Sequence, residues 1–223
     1  MVAACSLFSM SRPTSPNASP RRRLTAQQRQ SQLLDIAERL FTEHGYEGVT
    51  MEDIAREAGI TRPIVYRHLE SREDAFLSCV RRARRQFEES IMDVAKLPLD
   101  DLTARITAAG NSYLDMIEAD PQRWRLLFAT SSGIDGYLVD QLAELRAQTV
   151  AVIAAGVRPY ASGFAEETIE AFAHMVSGIG EQLGRWWLTR PEVPRERVLT
   201  YYVAAIGGAA RAIMELPSPP TDA

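Results

Sequence analysis

The sequence predicts an all-α protein in two parts: a small N-terminal three-helix domain containing a helix-turn-helix, and a larger C-terminal helical domain. Three observations predict it. Apolar residues recur at helical spacing, as in Leu33, Ile36, Ala37, Leu40 and Phe41, which is the stripe of an amphipathic helix. No alternating strand pattern persists anywhere in the 223 residues. The charge also divides. Residues 20–86 hold 13 Lys and Arg against 10 Asp and Glu, net +3, whereas residues 87–223 hold 11 against 19, net −8. The overall charge of −4 therefore hides a basic front suited to an anionic partner.

Each element has a local reason. Residues 1–23 are rich in Ser and Pro, lack a helical period and end in Arg21, Arg22 and Arg23; they read as a disordered tail with a basic end. That end is either a phosphate-seeking arm or a solvated tail. The apolar start lacks the basic flank and length of a signal peptide. A helix is expected from about Thr25 to Gly45. Thr50 with Asp53 three residues on resembles a capping box opening "MEDIAREA", and Gly59 ends that helix. Thr61 is placed to cap the next helix, with Pro63 in its first turn, where a missing N–H costs nothing. Val65 and Leu69 are its buried anchors. Ser71 caps a long helix from Arg72 to about Ala95. Further helices are expected at about 100–119, 121–130, 134–157, 164–189 and 195–215, punctuated by Pro98, Pro121, "SSG", "RPYASG" and "RPEVP". The implied domains are 24–76 and 77–216, with 217–223 a flexible C-terminus.

Several function classes are excluded. The longest apolar runs are about eight residues, against the roughly 18–20 that span a bilayer, so no membrane association is expected. Two cysteines, Cys5 and Cys79, form neither a disulfide framework nor a zinc spacing, which suits a reducing cytoplasm. Three histidines and the absence of a nucleophile elbow, P-loop, paired-Cys site or dinucleotide fingerprint argue against an enzyme, a metal or a cofactor.

Two short helices joined by a tight Gly-containing turn make a helix-turn-helix, whose second helix lies in a major groove of DNA. That accounts for "GITRPIVYRHLESREDAF", which spends little on core and much on polar and aromatic reach. The stretch "RQSQLLDIAERLFTEHGYEGVTMEDIAREAGITRPIVYRHLESREDAF", Arg29 to Phe76, resembles the N-terminal domain of the TetR family of bacterial transcriptional regulators. It departs in having Arg72 where Lys is common, Leu69 where Phe is common, and Ile64 at a position often polar or small.

The resemblance implies a repressor that binds a palindromic double-stranded operator as a homodimer and is released by a small hydrophobic or aromatic effector. An activator, or a regulator answering to a partner protein, is the alternative. By resemblance Thr50 binds phosphate, Tyr66 and His68 contact phosphate or sugar, and Arg72 contacts a phosphate. Arg62 is the first choice for base readout, because its guanidinium matches guanine O6 and N7. Thr61, Pro63, Ile64 and Arg67 fill the groove, Ile64 by touching a thymine methyl and Arg67 either there or in solvent. Tyr46 packs at the domain edge. In the second domain Tyr113, Met116, Trp124, Phe128, Phe172, His174, Met175 and Trp187 are candidates for an effector pocket, or are plain core. Gly180, Gly184, Ala204, Gly207 and Gly208 suggest close helix approach, across a dimer interface or within one subunit.

Overall fold

The structure is a computed structural model; it describes residues 24–98, 101–128 and 136–215. The expected tails at 1–23 and 217–223, with Cys5 and Arg21 to Arg23, and the "SSG" turn lie outside the described residues.

Among the described residues all regular structure is helical. The order is α1 (Ala26–His44), α2 (Met51–Ala58), α3 (Arg62–Tyr66), α4 (Arg72–Ala95), α5 (Leu102–Ala119), α6 (Pro121–Leu127), α7 (Gly136–Val157), a 3-10 turn (Arg158–Tyr160), α8 (Glu166–Leu188) and α9 (Arg195–Met214). The caps explain the boundaries. Thr25 and Thr50 form reciprocal capping boxes with Gln28 and Asp53, and Ser71 and Asp101 accept from Asp74 N and Ala104 N at 3.1 and 2.7 Å. Each satisfies an amide that a helix start leaves open. Gly59 ends α2 at φ 63° and ψ 35°, a left-handed conformation that a side chain would strain.

Two expectations change at α3. Thr61 stands at its N-cap but makes no side-chain cap bond. Leu69 is buried, yet lies beyond the helix, which stops at Tyr66. Its amide still donates to Val65 O at 3.0 Å, which tucks the side chain under the helix.

The N-terminal core joins Leu33, Phe41, Val49, Ile54, Val65, Leu69 and Phe76. Leu126 of α6 and Leu138 of α7 enter the same cluster, so the second domain is seated directly on the first. A second core gathers Tyr113, Leu114, Ile117, Trp124, Trp187, Val198 and Ile206 from α5, α6, α8 and α9. The division expected after Phe76 falls inside α4, a single helix of 24 residues common to both parts. Buried Arg84 ties α4 to its neighbours: its Nη1 donates to Thr149 Oγ1 at 2.8 Å and its Nη2 to Leu127 O at 2.6 Å. Burial, and then the charge of Arg146, lowers its pKa to about 10, so it stays cationic at neutral pH.

Candidate nucleic-acid interface and effector cavity

The α2–α3 pair presents one polar surface. Arg62, Pro63, Tyr66 and Arg67 are exposed along α3 and its end, Ile64 and His68 are half-buried, and Thr50 and Thr61 are exposed at the two helix starts. Val65, fully buried, pins the opposite side. The surface is held by contacts that sequence reading did not find. Arg62 Nε lies 3.4 Å from Glu52 Oε2, and Arg62 Nη2 donates to Tyr66 Oη at 3.4 Å. The Tyr66 hydroxyl and the Glu52 carboxylate both raise the Arg62 pKa.

Thr50 and Arg72 are more occupied than expected. The Thr50 hydroxyl donates to Asp53 Oδ2 at 2.6 Å and accepts from Asp53 N at 3.2 Å. The hydroxyl's bond to the carboxylate, joined by the Thr50 amide donating to Asp53 Oδ2 at 2.9 Å and then by Arg56, holds the Asp53 pKa down at about 2. Arg72 stacks on the Tyr46 ring at 4.2 Å and pairs with Glu47 at 3.6 Å. Tyr46 in turn donates to Glu73 Oε1 at 2.7 Å and packs edge-on against Phe76. Burial, then that bond to Glu73, raises the Tyr46 pKa to about 12.

Cys79 is buried in the first core, its thiol 3.7 Å from Leu34 O. Burial, and then the Glu38 charge, pushes its pKa up to about 12. A buried neutral thiol is a poor nucleophile. The folded protein is expected to leave Cys79 unmodified by iodoacetamide at pH 8, while denaturant makes it react at the rate of a free thiol. Equal rates in both conditions would remove the burial argument.

The second domain encloses a cavity of about 170 Å³ among α4, α5, α7, α8 and α9. Since a single water needs roughly 10–15 Å³ on such a measure, it has room for several waters. Of the residues expected there, Tyr113, Phe128 and Phe172 line it. The other five do not. Trp124 is in the core, its indole N–H donating to Tyr113 Oη at 3.1 Å. Trp187 is buried and donates to Val193 O at 3.0 Å. Met116 packs at the edge of the second core, and His174 and Met175 are exposed on α8. Sequence reading missed Ile91, Arg105, Ile106, Tyr160, Val176 and Tyr202 of the lining; their helical spacing is that of any core residue.

The glycines are also redistributed. A Cβ on Gly184 would sit 2.5 Å from Trp124 Cζ2, and one on Gly180 3.6 Å from Tyr113 Cζ. Both are spent on bringing α8 against α5 and α6 within one chain. Gly207 is buried beside Arg211 and Ile106. Ala204 is exposed, and a Cβ on Gly208 would meet nothing within 4 Å. With Met175, Gly178, Trp186 and Tyr201 these two leave an outer face of α8 and α9 that sets small residues among large exposed hydrophobic ones.

Among the described residues no group of three or more His, Cys, Asp or Glu is placed to hold a metal ion. No described helix is long and apolar enough to cross a membrane.

Residues 33–79 match the family model described as bacterial regulatory proteins, tetR family. The chain is similar to the HTH-type transcriptional activator FasR of Mycolicibacterium smegmatis, at 31% identity over 106 residues, 48% of each chain. It is also similar to the HTH-type transcriptional repressor BepR of Brucella suis, at 32% identity over 54% of this chain and 60% of that one. The matched part thus spans about half of the activator and three fifths of the repressor. Among solved structures, a TetR-like transcriptional regulator from Rhodococcus sp. RHA1 superposes with a TM-score of 0.66 at 20% identity, covering 87% of this chain and all of that one. That likeness concerns the fold alone.

Proposed function

Because the chain belongs to the TetR family of bacterial transcriptional regulators, we propose that it acts as a cytoplasmic homodimeric repressor. It binds a two-fold operator and is released when an apolar small molecule enters the cavity. The observation that carries this reading is the continuity of α4. Its first turns complete the core beneath α3, and its Phe87, Ile91 and Val94 wall the cavity. A ligand that prefers one tilt of α4 thereby has purchase on the reading helix, and only such differential affinity shifts the two states.

The outer face of α8 and α9 supports the homodimer. Two-fold operators call for two-fold proteins, and small residues allow close helix approach. The opposite sign of regulation is the second reading, favoured by the relative named as an activator; operator position decides between them.

The DNA reading is tested by selecting sites from a random duplex library with the full-length protein. A palindromic site is expected, and recovery of no enriched sequence would overturn the reading. Arg62→Ala should then lose discrimination roughly ten- to a hundredfold at one base pair per half-site, the range of a bidentate arginine–guanine contact. Uniform weakening over all base variants would move Arg62 from the base-reading group to the phosphate-binding one.

A further inference from the structure

Tyr113 and Tyr202 both line the cavity and both are buried, but their hydroxyls differ. Tyr113 Oη donates to Gly180 O at 2.7 Å and accepts from Trp124 Nε1 at 3.1 Å, so it is used in both directions. Tyr202 of α9 is 5% exposed, and its hydroxyl has no hydrogen-bond partner among the described residues. Nor is that hydroxyl sealed in by protein. Among those residues Arg84 Nε is the one enclosed side-chain nitrogen or oxygen without a partner. The space that the Tyr202 hydroxyl meets is therefore the cavity. The ring is held in place there. It stacks on Tyr113 with centroids 5.9 Å apart and planes at 24°. Its edge also takes the room of a side chain on Gly110, where a Cβ would sit 2.8 Å from Tyr202 Cδ1.

The rest of the lining does not answer this hydroxyl. Most of it is hydrocarbon, as at Ile91, Ile106, Phe128, Ile153 and Val176. Ser90, Ser112 and Ser177 are half-buried members. A helical serine can bond a carbonyl one turn back on its own helix, as Ser90 does with Phe87 O at 2.7 Å; a tyrosine hydroxyl is too far out to do so. The charged members are engaged. Arg185 donates to Glu181 Oε1 and Arg146 pairs with Glu181 Oε2. Arg105 donates to Leu97 O at 3.5 Å and lies over the Tyr160 ring at 3.7 Å. A charged ligand would have to break into one of these sets. Burial pushes the Tyr202 pKa up to about 12, so the phenol keeps its proton at neutral pH and calls for an acceptor. Buried polar groups are almost always satisfied in native proteins, and here the missing partner can come only from what fills the cavity.

We propose that the cavity takes a neutral ketone or ester on a hydrocarbon body, its carbonyl oxygen accepting a hydrogen bond from the Tyr202 hydroxyl. The inference rests on the effector reading above and names the ligand class of that same site. The body gains affinity by leaving water. The carbonyl gives selectivity. A hydrocarbon of the same shape would leave the phenol unpaired, and an alcohol would bring a donor of its own that needs a second partner.

The test is calorimetric titration of the full-length protein with butyrophenone, butylbenzene, 4-phenylbutyrate and 4-phenylbutylammonium, which share one body and differ in the polar group. Butyrophenone is expected to bind at least about tenfold more tightly than either charged probe, because a buried charge needs a partner of its own. Tyr202→Phe should weaken butyrophenone about two- to tenfold, the range of one neutral hydrogen bond, and leave butylbenzene unchanged. Ala109→Trp, which fills the cavity from α5, should abolish binding of both. Equal loss of ketone and hydrocarbon in Tyr202→Phe, ketone binding that survives Ala109→Trp, or binding of none of the probes would overturn the ligand class. A charged probe that binds best and releases the operator would overturn the class and leave the effector reading intact. Tyr202-dependent ketone binding that leaves operator affinity unchanged would uphold the class and sink the effector reading.

Discussion

Trp124→Ala is expected to destabilise the protein by about 3–5 kcal/mol, the range for a buried aromatic truncated to alanine. For a chain of this length that lowers the thermal midpoint by roughly 6–20 °C. Trp124 is 1% exposed, and its ring centroid lies 4.9 Å from that of Phe128. Its indole N–H donates to the Tyr113 hydroxyl, which donates in turn to Gly180 O at 2.7 Å. The absent side chain of Gly184 is the space the indole occupies. Alanine would leave a hole between α5, α6 and α8 that neither a glycine nor a tyrosine fixed by its hydroxyl can close. Trp124→Phe should cost less, because most of the ring volume remains and only the hydrogen bond is lost. Urea unfolding of the three proteins measures both effects. A cost below about 1 kcal/mol for the alanine variant would mean that α6 is held from its other side alone.

The contrast between Trp124 and Phe128 shows what the sequence can and cannot specify. Both lie on or at the end of one short helix, both are aromatic, and both were equal candidates for the cavity. Only Phe128 lines it, because α8 approaches α6 at Gly184 and closes over the indole. Periodicity says which face of a helix is inward; it does not say which inward residues meet a partner and which meet a gap. Helix ends were far more legible. Thr25, Thr50 and Ser71 act on amides three residues away, a range within which sequence and geometry are nearly the same thing. Gly180 and Gly184 sit where α8 meets Tyr113 and Trp124 of the same chain, but a glycine carries no mark in the sequence of the surface that approaches it. That Arg62, Pro63, Tyr66 and Arg67 face outward around buried Val65 was legible because they belong to a recognisable register. The Glu52 contact to Arg62 was not, since it joins two helices across the turn.

Glu38→Ala is expected to cost about 2–4 kcal/mol, below the upper end for a broken buried pair because its partners are partly wetted. Glu38 flanks the apolar stripe of α1, where an acid ordinarily faces water, yet it is 6% exposed. Arg82 of α4 donates from Nε to its Oε2 at 3.1 Å, and Arg123 of α6 donates from Nε to its Oε1. One carboxylate thus joins α1, in the first domain, to α6, in the second. Arg82 also holds Asp35 at 2.7 Å, and Arg123 holds Gln86 Oε1 at 2.8 Å. Removing Glu38 leaves two guanidinium groups facing each other with these outer partners and Asp120, whose Oδ2 lies 3.7 Å from Arg123 Nε. Charge repulsion then adds to the desolvation that the pair no longer offsets. The double-mutant cycle of Glu38→Ala with Arg123→Ala isolates the inter-domain half of this arrangement, and a coupling of about 1–3 kcal/mol is expected. Most of it should persist in molar salt, because the carboxylate is screened by protein and not by ions. If the two substitutions are additive within about 0.5 kcal/mol, the domains are held together by apolar contact. Leu126 and Leu138, seated in the first core, then carry the junction and the ion pair only follows it.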